Sequence, residues 1–189
     1  MKANRAANQL RIIAGRWRGR RLSFAPVAGL RPTPDRVRET LFNWLDPCIR
    51  GAHCLDLFAG SGALGIEAAS RGADRVVLVD DNPAVIATLR QQLQLLQATR
   101  IELLQSRVQP WLATAGEPFD IVFLDPPFRQ GLLPACLHAL QHGGWLADEA
   151  WIYIEAERHL ELALPEGWQL LRSKHAGQLD YHLVRRQHP

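Results

Sequence analysis

The chain has 189 residues with 47% hydrophobic content, enough for one sizeable core but short for two full domains. Its three cysteines show no paired spacing and no apolar run nears the roughly 18 residues of a membrane span, so we expect a soluble cytoplasmic protein without a metal or a membrane partner. Residues 1–50 carry eleven Lys and Arg against three Asp and Glu, whereas residues 51–189 carry eleven against sixteen, which favours a nucleic-acid partner for the N-terminal part.

The basic part begins with a predicted β-hairpin, whose strands 10–14 and 21–24 flank a turn-forming stretch at 15–19. Clustered Arg side chains suit phosphate contacts, and a neighbouring aromatic ring suits stacking on bases. The RNA-binding candidates here are Arg16, Trp17, Arg18, Arg20 and Arg21. The alternative is a hairpin whose charges are merely solvated. We place a domain boundary after residue 30, which separates a hairpin arm (1–30) from an enzyme domain (31–189).

After a proline-rich loop, Asp35 begins a predicted amphipathic helix over 35–45. From Ala52 onward, short apolar runs alternate with longer segments of helical period. The predicted strands are 53–58, 75–79, 100–104, 120–124 and 151–155, with helices between the first four pairs, followed by an antiparallel pair at 168–172 and 179–185. This alternation predicts an α/β fold with a doubly wound, seven-stranded, mostly parallel sheet.

The first chemical motif, DLFAGSGALG at 56–65, runs from a strand through a glycine turn into a helix. Gly60, Gly62 and Gly65 satisfy G-x-G-x-x-G, a pattern that lets a ligand approach the backbone closely. Asp80 follows Gly60 by twenty residues, at the end of the next strand, where a carboxylate accepts hydrogen bonds from ribose hydroxyls. Taken alone, the pattern also fits a nicotinamide enzyme, or a glycine turn with an incidental capping Asp.

Asp56 separates these alternatives, because a carboxylate at the mouth of the loop opposes the pyrophosphate that a helix N-terminus normally attracts. S-adenosyl-L-methionine has no phosphate and carries an ammonium and a sulfonium, which Asp56 attracts directly or through water. We therefore predict S-adenosyl-L-methionine as the cofactor. Ser106, after the third strand, is placed to meet its adenine edge.

The second motif, Asp125-Pro126-Pro127-Phe128, follows a very apolar strand at the carboxyl edge of the sheet, where ligands of open α/β folds bind. An exocyclic amine on an aromatic ring is a weak nucleophile. Its two N–H groups can donate to the Asp125 carboxylate and the Pro126 carbonyl, which orients the nitrogen and favours its developing positive charge. Phe128 would stack on the target base. A lone Asp-Pro-Pro would otherwise be an ordinary turn.

These two motifs resemble class I methyltransferases that modify exocyclic amines. Residues 11–15 (RIIAG), 18–20 (RGR) and 31–43 (RPTPDRVRETLFN) further resemble the start of RsmD-type 16S rRNA guanine-N2 methyltransferases, and the likeness continues at 70–73, 123–128 and 152–155. It implies a Rossmann-like class I methyltransferase fold, S-adenosyl-L-methionine as cofactor, and 16S rRNA in the assembling small ribosomal subunit as partner. It also implies that Thr33 and Phe58 help to hold the cofactor and that Arg36 contacts RNA, with Glu39 in the same segment. In the alternative account, Asp35 caps the helix while Arg36 and Arg38 are solvated.

Three other functions stay open at this point. An adenine-N6 or cytosine-N4 DNA methyltransferase would use a similar Asp-Pro-Pro-aromatic segment, but the 50 residues of the basic N-terminal part leave no room for a separate DNA-reading domain. A catalytically silent RNA-binding assembly factor would not need that motif, and a nicotinamide oxidoreductase is disfavoured by Asp56. We expect the protein to act as a monomer.

Overall fold

A seven-stranded sheet lies at the centre of the protein in a computed structural model that describes residues 9–27, 30 and 32–187. A separate hairpin contains β1 (Gln9–Arg11) and β2 (Arg21–Ser23). The sheet strands are β3 (His53–Asp56), β4 (Arg75–Asp80), β5 (Ile101–Gln105), β6 (Phe119–Leu124), β7 (Leu146–Glu157), β8 (Trp168–Ala176) and β9 (Leu179–Arg186). The helices are α1 (Asp35–Leu45), α2 (Ala63–Ser70), α3 (Pro83–Leu96), α4 (Val108–Leu112) and α5 (Leu132–His142).

The strand order is β5-β4-β3-β6-β7-β9-β8, with β9 antiparallel to both of its neighbours and the other pairs parallel. The apolar residues of α1, α2 and α3 pack in one core cluster and those of α4 and α5 in another, on opposite faces of the sheet. The predicted doubly wound, seven-stranded fold and its antiparallel pair are confirmed. The strand order reverses between β3 and β6, and open α/β sheets bind ligands above such a reversal.

None of the helices in the described ranges is long and apolar enough to cross a membrane.

Several observed strands, among them β3 and β8, have bounds that differ from the predicted ones, and the differences at β1 and β7 have identifiable reasons. Strand β1 ends at Arg11 rather than at residue 14, because the N–H groups of Ile13 and Ala14 donate to the Glu67 carboxylate instead of to β2, at 2.8 and 2.9 Å. Strand β7 begins before its predicted start at residue 151, because Leu146 already pairs with Phe119 ahead of a bulge.

The hairpin is docked against helix α2. The Ser70 hydroxyl accepts a hydrogen bond from the Trp17 N–H at 3.0 Å and donates to the Ala14 carbonyl at 2.6 Å. A side chain at Gly15 would meet the Ser70 carbonyl oxygen at 1.8 Å, and the φ of +79° at Gly15 also favours glycine. The Trp17 side chain is only 6% exposed and belongs to the core. The expectation that Trp17 stacks on RNA bases is therefore wrong, because its ring already packs inside the protein.

A buried ionic cluster completes this docking, and it contradicts the alternative in which Arg38 is solvated. Arg38 of α1 is fully buried, donates to the Arg11 carbonyl at 2.8 Å, and lies 3.5 Å from the Glu67 carboxylate. Glu67 also accepts from Arg71 at 2.8 Å. The cluster thus joins the hairpin, α1 and α2. The domain boundary placed after residue 30 stays a prediction. Of the two segments that it separates, residues 1–8, 28, 29, 31, 188 and 189 lie outside the described residues.

We expect Glu67→Gln to lower the free energy of unfolding by about 3–5 kcal/mol. The amide places a donor against one of the hairpin N–H groups, leaves Arg71 without its counter-charge and leaves buried Arg38 paired only with Asp35. Urea denaturation would measure the loss. Glu102→Gln is the matched control, since Glu102 pairs with Arg75 at the surface and should contribute less than about 1 kcal/mol. Equal losses in the two variants would contradict the structural role of Glu67.

Candidate functional site

A cavity of about 1040 Å³ opens above the carboxyl ends of β3, β4, β5 and β6. Most of the predicted cofactor and catalytic residues line it: Thr33, Asp56, Phe58, Gly60, Asp80, Ser106, Asp125, Pro126, Pro127 and Phe128. Gly62 is outside this lining. The fold therefore brings together two motifs that are about 60 residues apart in the chain, at the position where the strand order reverses.

The glycine loop between β3 and α2 uses its glycines in two ways. Gly60 and Gly62 have φ values of +50° and +75°, in the left-handed region that favours glycine, and Gly62 immediately precedes α2. Gly65 lies within the helix, where a side chain would meet the Leu78 side chain of β4 at 2.2 Å. The first two glycines thus shape the turn, and the third allows α2 to pack closely on the sheet.

Asp56 supports the loop from within. Its carboxyl is 2% exposed and accepts a hydrogen bond from the Gly65 N–H at 3.0 Å. Burial raises the pKa of Asp56 to about 7, an effect that the Gly65 bond opposes and that nearby Asp80 reinforces. A cationic ligand in the cavity would favour the ionised form of this carboxyl.

Asp80 is half-buried at the end of β4 and accepts two backbone hydrogen bonds, from the N–H groups of Gly60 and Asn82, both at 2.9 Å. Burial raises the pKa of Asp80, and these two bonds oppose the shift. Since a carboxylate has about four acceptor sites, it can still accept from two hydroxyl groups. The N–H of Ser106 donates to the Asp80 carbonyl at 3.0 Å, which places Ser106 beside this carboxylate.

The Asp-Pro-Pro-Phe segment leaves β6 at the edge of the cavity. Asp125 is half-buried, Pro126 is buried, and Pro127 is exposed. The Phe128 ring is 43% exposed, unusual for so large an apolar side chain, and it lines the cavity. Arg129 follows with a φ of +64° and donates its N–H to the Glu157 carboxylate, which turns the chain away. The segment thus places the aromatic ring of Phe128 in the cavity lining together with the Asp125 carboxyl and Pro126.

Glu155 lines the same cavity and was not among the predicted site residues. It is 4% exposed, and its Oε1 accepts from the Thr33 hydroxyl at 2.9 Å and from the Tyr153 hydroxyl at 2.8 Å. The parallel register pairs Leu124 with Ile154, so Glu155 emerges beside Asp125. One sequence signal could have indicated this proximity. The strand that follows the Asp-Pro-Pro-Phe segment in the chain, β7, carries the carboxylate of Glu155 near its end. Thr33 contacts Glu155 rather than the glycine loop.

The cavity carries more negative than positive side chains. Five carboxyl groups line it, those of Asp56, Asp80, Asp81, Asp125 and Glu155, whereas Arg107 is the one cationic side chain in its lining within the described ranges. Such a surface attracts a cation and opposes a diphosphate. The cavity therefore fits S-adenosyl-L-methionine better than a nicotinamide dinucleotide.

Comparisons with known proteins agree with this geometry. A family model described as conserved hypothetical protein 95 matches residues 10–185. A relative from Escherichia coli strain K12, named ribosomal RNA small subunit methyltransferase D, is 50% identical over 182 residues, which cover 96% of this chain and 92% of that protein. This chain belongs to the RsmD-type methyltransferase family. The protein of the same name from Haemophilus influenzae is 44% identical over 94% of each chain. The solved structure of Escherichia coli yhhF has a TM-score of 0.88 and 51% identity, covering 96% of this chain and 99% of its own.

The hairpin arginines of this RsmD-type chain lie away from the cavity. Helix α2 begins at the glycine loop and ends at Ser70, which holds the hairpin, and eight helical residues span about 12 Å. Arg16, Arg18, Arg20 and Arg21 are exposed, as is Arg36 on the first turn of α1. Arg20 donates to the Leu95 carbonyl near the end of α3, at 3.2 Å. A polyanion bound by the hairpin arginines would therefore lie at a distance from the cavity.

Proposed function

We propose that this chain transfers a methyl group from S-adenosyl-L-methionine to the exocyclic N2 of a guanine in 16S rRNA of the assembling small ribosomal subunit. The observation that carries the proposal is that the Asp-Pro-Pro-Phe segment and the glycine loop open into one acidic cavity, in a chain 50% identical to ribosomal RNA small subunit methyltransferase D. The reaction would take place in the cytoplasm, and we expect a monomer to carry it out.

The cofactor would lie along the glycine loop. Asp80 would accept from the ribose hydroxyls, Ser106 would meet the adenine edge, and Asp56 with the loop backbone would receive the methionine end. When bound, S-adenosyl-L-methionine supplies an activated methyl group, because its sulfonium is a good leaving group. The carboxyl groups of the cavity offset the charge of this cation.

The base would enter beside Phe128. Its ring offers a stacking face, and its exposure in the described structure leaves that face available. The amine would then donate one N–H to Asp125 and the other to the Pro126 carbonyl, since successive prolines hold the backbone extended and leave carbonyls without local partners. These bonds aim the nitrogen lone pair at the methyl group.

RNA would reach the hairpin through its phosphates. Arg11 and Arg21 are directly opposite in the β1–β2 pair and both are exposed, an arrangement that destabilises an isolated hairpin by like-charge repulsion. RNA phosphates bound at the hairpin would offset the repulsion between these two arginines. We therefore keep Arg16, Arg18, Arg20, Arg21 and Arg36 as the RNA-contacting residues, and Trp17 as the packing residue that holds the hairpin in place.

We expect Asp80→Ala to weaken S-adenosyl-L-methionine binding by roughly 10- to 100-fold, because it removes charge-assisted hydrogen bonds and leaves the Gly60 N–H without its acceptor. Isothermal titration calorimetry would measure the affinity. Asp81→Ala is the control, since Asp81 lines the same cavity and carries the same charge. If both variants lost affinity equally, general electrostatic attraction rather than a ribose contact would explain the effect.

The function is tested by methyl transfer from labelled S-adenosyl-L-methionine to undermethylated small subunits, naked 16S rRNA and duplex DNA in parallel, with the modified nucleoside identified by mass spectrometry. We expect N2-methylguanosine from the ribosomal substrates alone. N6-methyladenine in DNA would replace the proposal with a DNA methyltransferase. A lack of product from any substrate, despite measurable RNA binding, would favour a silent assembly factor.

A further inference from the structure

The carboxyl groups of Asp125 and Glu155 lie at the carboxyl ends of neighbouring parallel strands, each one residue beyond the paired residues Leu124 and Ile154. Both line the cavity. Within the described residues, no Lys, Arg or His side chain forms an ion pair with either of them. Two carboxylates this close cannot both be ionised without a cation between them, so the pair retains one proton.

The surroundings decide which member keeps the proton. The hydroxyls of Thr33 and Tyr153 both donate to Glu155 Oε1, and two donors favour the ionised form of the carboxyl that accepts them. Asp125 has Glu155 beside it and the carboxyl of Asp56 on the adjacent strand, and both disfavour its ionisation. The Tyr181 ring lies beyond Tyr153, with ring centroids 6.5 Å apart.

The direction of the shifts agrees with this assignment. Burial, and after it the neighbouring Glu155, raises the pKa of Asp125 well above its ordinary value. Burial also raises the pKa of Glu155, but hydrogen bonds from Tyr153, Thr33 and Asp125 oppose that increase. The proton therefore resides on Asp125.

We propose that Asp125 acts as a neutral carboxylic acid, and that Glu155 is the positioning residue that holds its proton. The Asp125 hydroxyl donates to Glu155, which leaves the other Asp125 oxygen as a fixed acceptor directed at the amine. The amine needs only an acceptor there during methyl transfer, so the negative charge can remain on Glu155, one side chain further from the base. The methylated amine then releases its surplus proton to water. This inference rests on the proposed role of Asp125 in receiving the amine.

Asparagine at position 125 imitates the neutral acid, because its carbonyl can accept from the amine while its NH2 donates to Glu155. We therefore expect Asp125→Asn to transfer methyl within about tenfold of the wild-type rate at neutral pH, whereas Asp125→Ala falls by about 10²-fold or more. At saturating cofactor and RNA, the wild-type rate should decline at alkaline pH as Asp125 loses its proton, and D125N should lack that decline.

Glu155→Gln gives the reciprocal test. The glutamine carbonyl keeps the bonds from Thr33 and Tyr153, and its NH2 then donates to Asp125 and favours the ionised form. E155Q should therefore lose the alkaline decline, because Asp125 without its proton no longer faces a second carboxylate. A change in the pH profile on replacing Glu155 alone is a response that a merely structural role of Glu155 would not produce.

Infrared difference spectroscopy supplies a readout independent of turnover. The spectrum of the wild-type protein minus that of D125N should contain the carbonyl band of a protonated carboxylic acid at neutral pH. The inference is overturned if this band is missing, if D125N is as inactive as D125A, or if both proteins share the alkaline decline. If D125A itself remains active, the proposed role of Asp125 fails as well, which separates the two failures.

Discussion

Asp125→Ala should reduce the rate of methyl transfer by about 10²- to 10³-fold while cofactor affinity changes little, because the side chain contacts the amine rather than the cofactor. The small change in affinity follows from the neutral state of Asp125, since removing an uncharged group alters the attraction for a cation only slightly. Single-turnover transfer and calorimetric titration of S-adenosyl-L-methionine measure the two quantities separately.

The comparison with Asp80→Ala makes this result decisive. The Asp80 variant should lose cofactor affinity first, and its rate should recover at high cofactor concentration. The Asp125 variant should stay slow at any concentration. A similar loss of binding in both variants would show that the two carboxyls have not been assigned their correct roles.

Replacing Arg16, Arg18, Arg20 and Arg21 together by Gln should weaken RNA binding and flatten its dependence on salt. If all four contact phosphates, the slope of log affinity against log salt should decrease in magnitude by about 2.8 to 3.6, because each contact contributes roughly 0.7–0.9 to the slope. Binding of a 16S rRNA fragment across a salt series measures this quantity.

Arg172→Gln is the control, since Arg172 is exposed on the edge strand β8 and lies outside the hairpin. It should leave the slope unchanged. An unaltered slope in the fourfold variant would remove the hairpin from the RNA interface, and the basic N-terminal composition would then need another explanation.

The alternation of strands and helices could be predicted because it depends on local patterns. Buried strands such as 121–124 are continuous apolar runs, and the helix over 35–45 shows its apolar residues at helical spacing. The glycine loop and the Asp-Pro-Pro-Phe segment could be assigned to one edge because parallel strands share the direction of their carboxyl ends.

The Glu155 contacts could not be predicted in the same way. Thr33 is 122 residues from Glu155, and only the strand order and register bring Asp125 beside it. The burial of Trp17 and Arg38 was also missed, because an aromatic residue among arginines is typical of an RNA-binding surface, whereas a fully buried Arg depends on a partner from another element. In both cases the deciding contact is non-local.

The docking of the hairpin also constrains the order in which the protein folds. Ile13 and Ala14 find their acceptor in Glu67, at sequence separations of 54 and 53 residues, and Trp17 finds its acceptor in Ser70. The hairpin is synthesised before α2, so it must wait for α2 before its backbone N–H groups find their acceptors and its tryptophan is covered. During translation the arginine-rich hairpin is consequently exposed and undocked until the centre of the sheet begins to form.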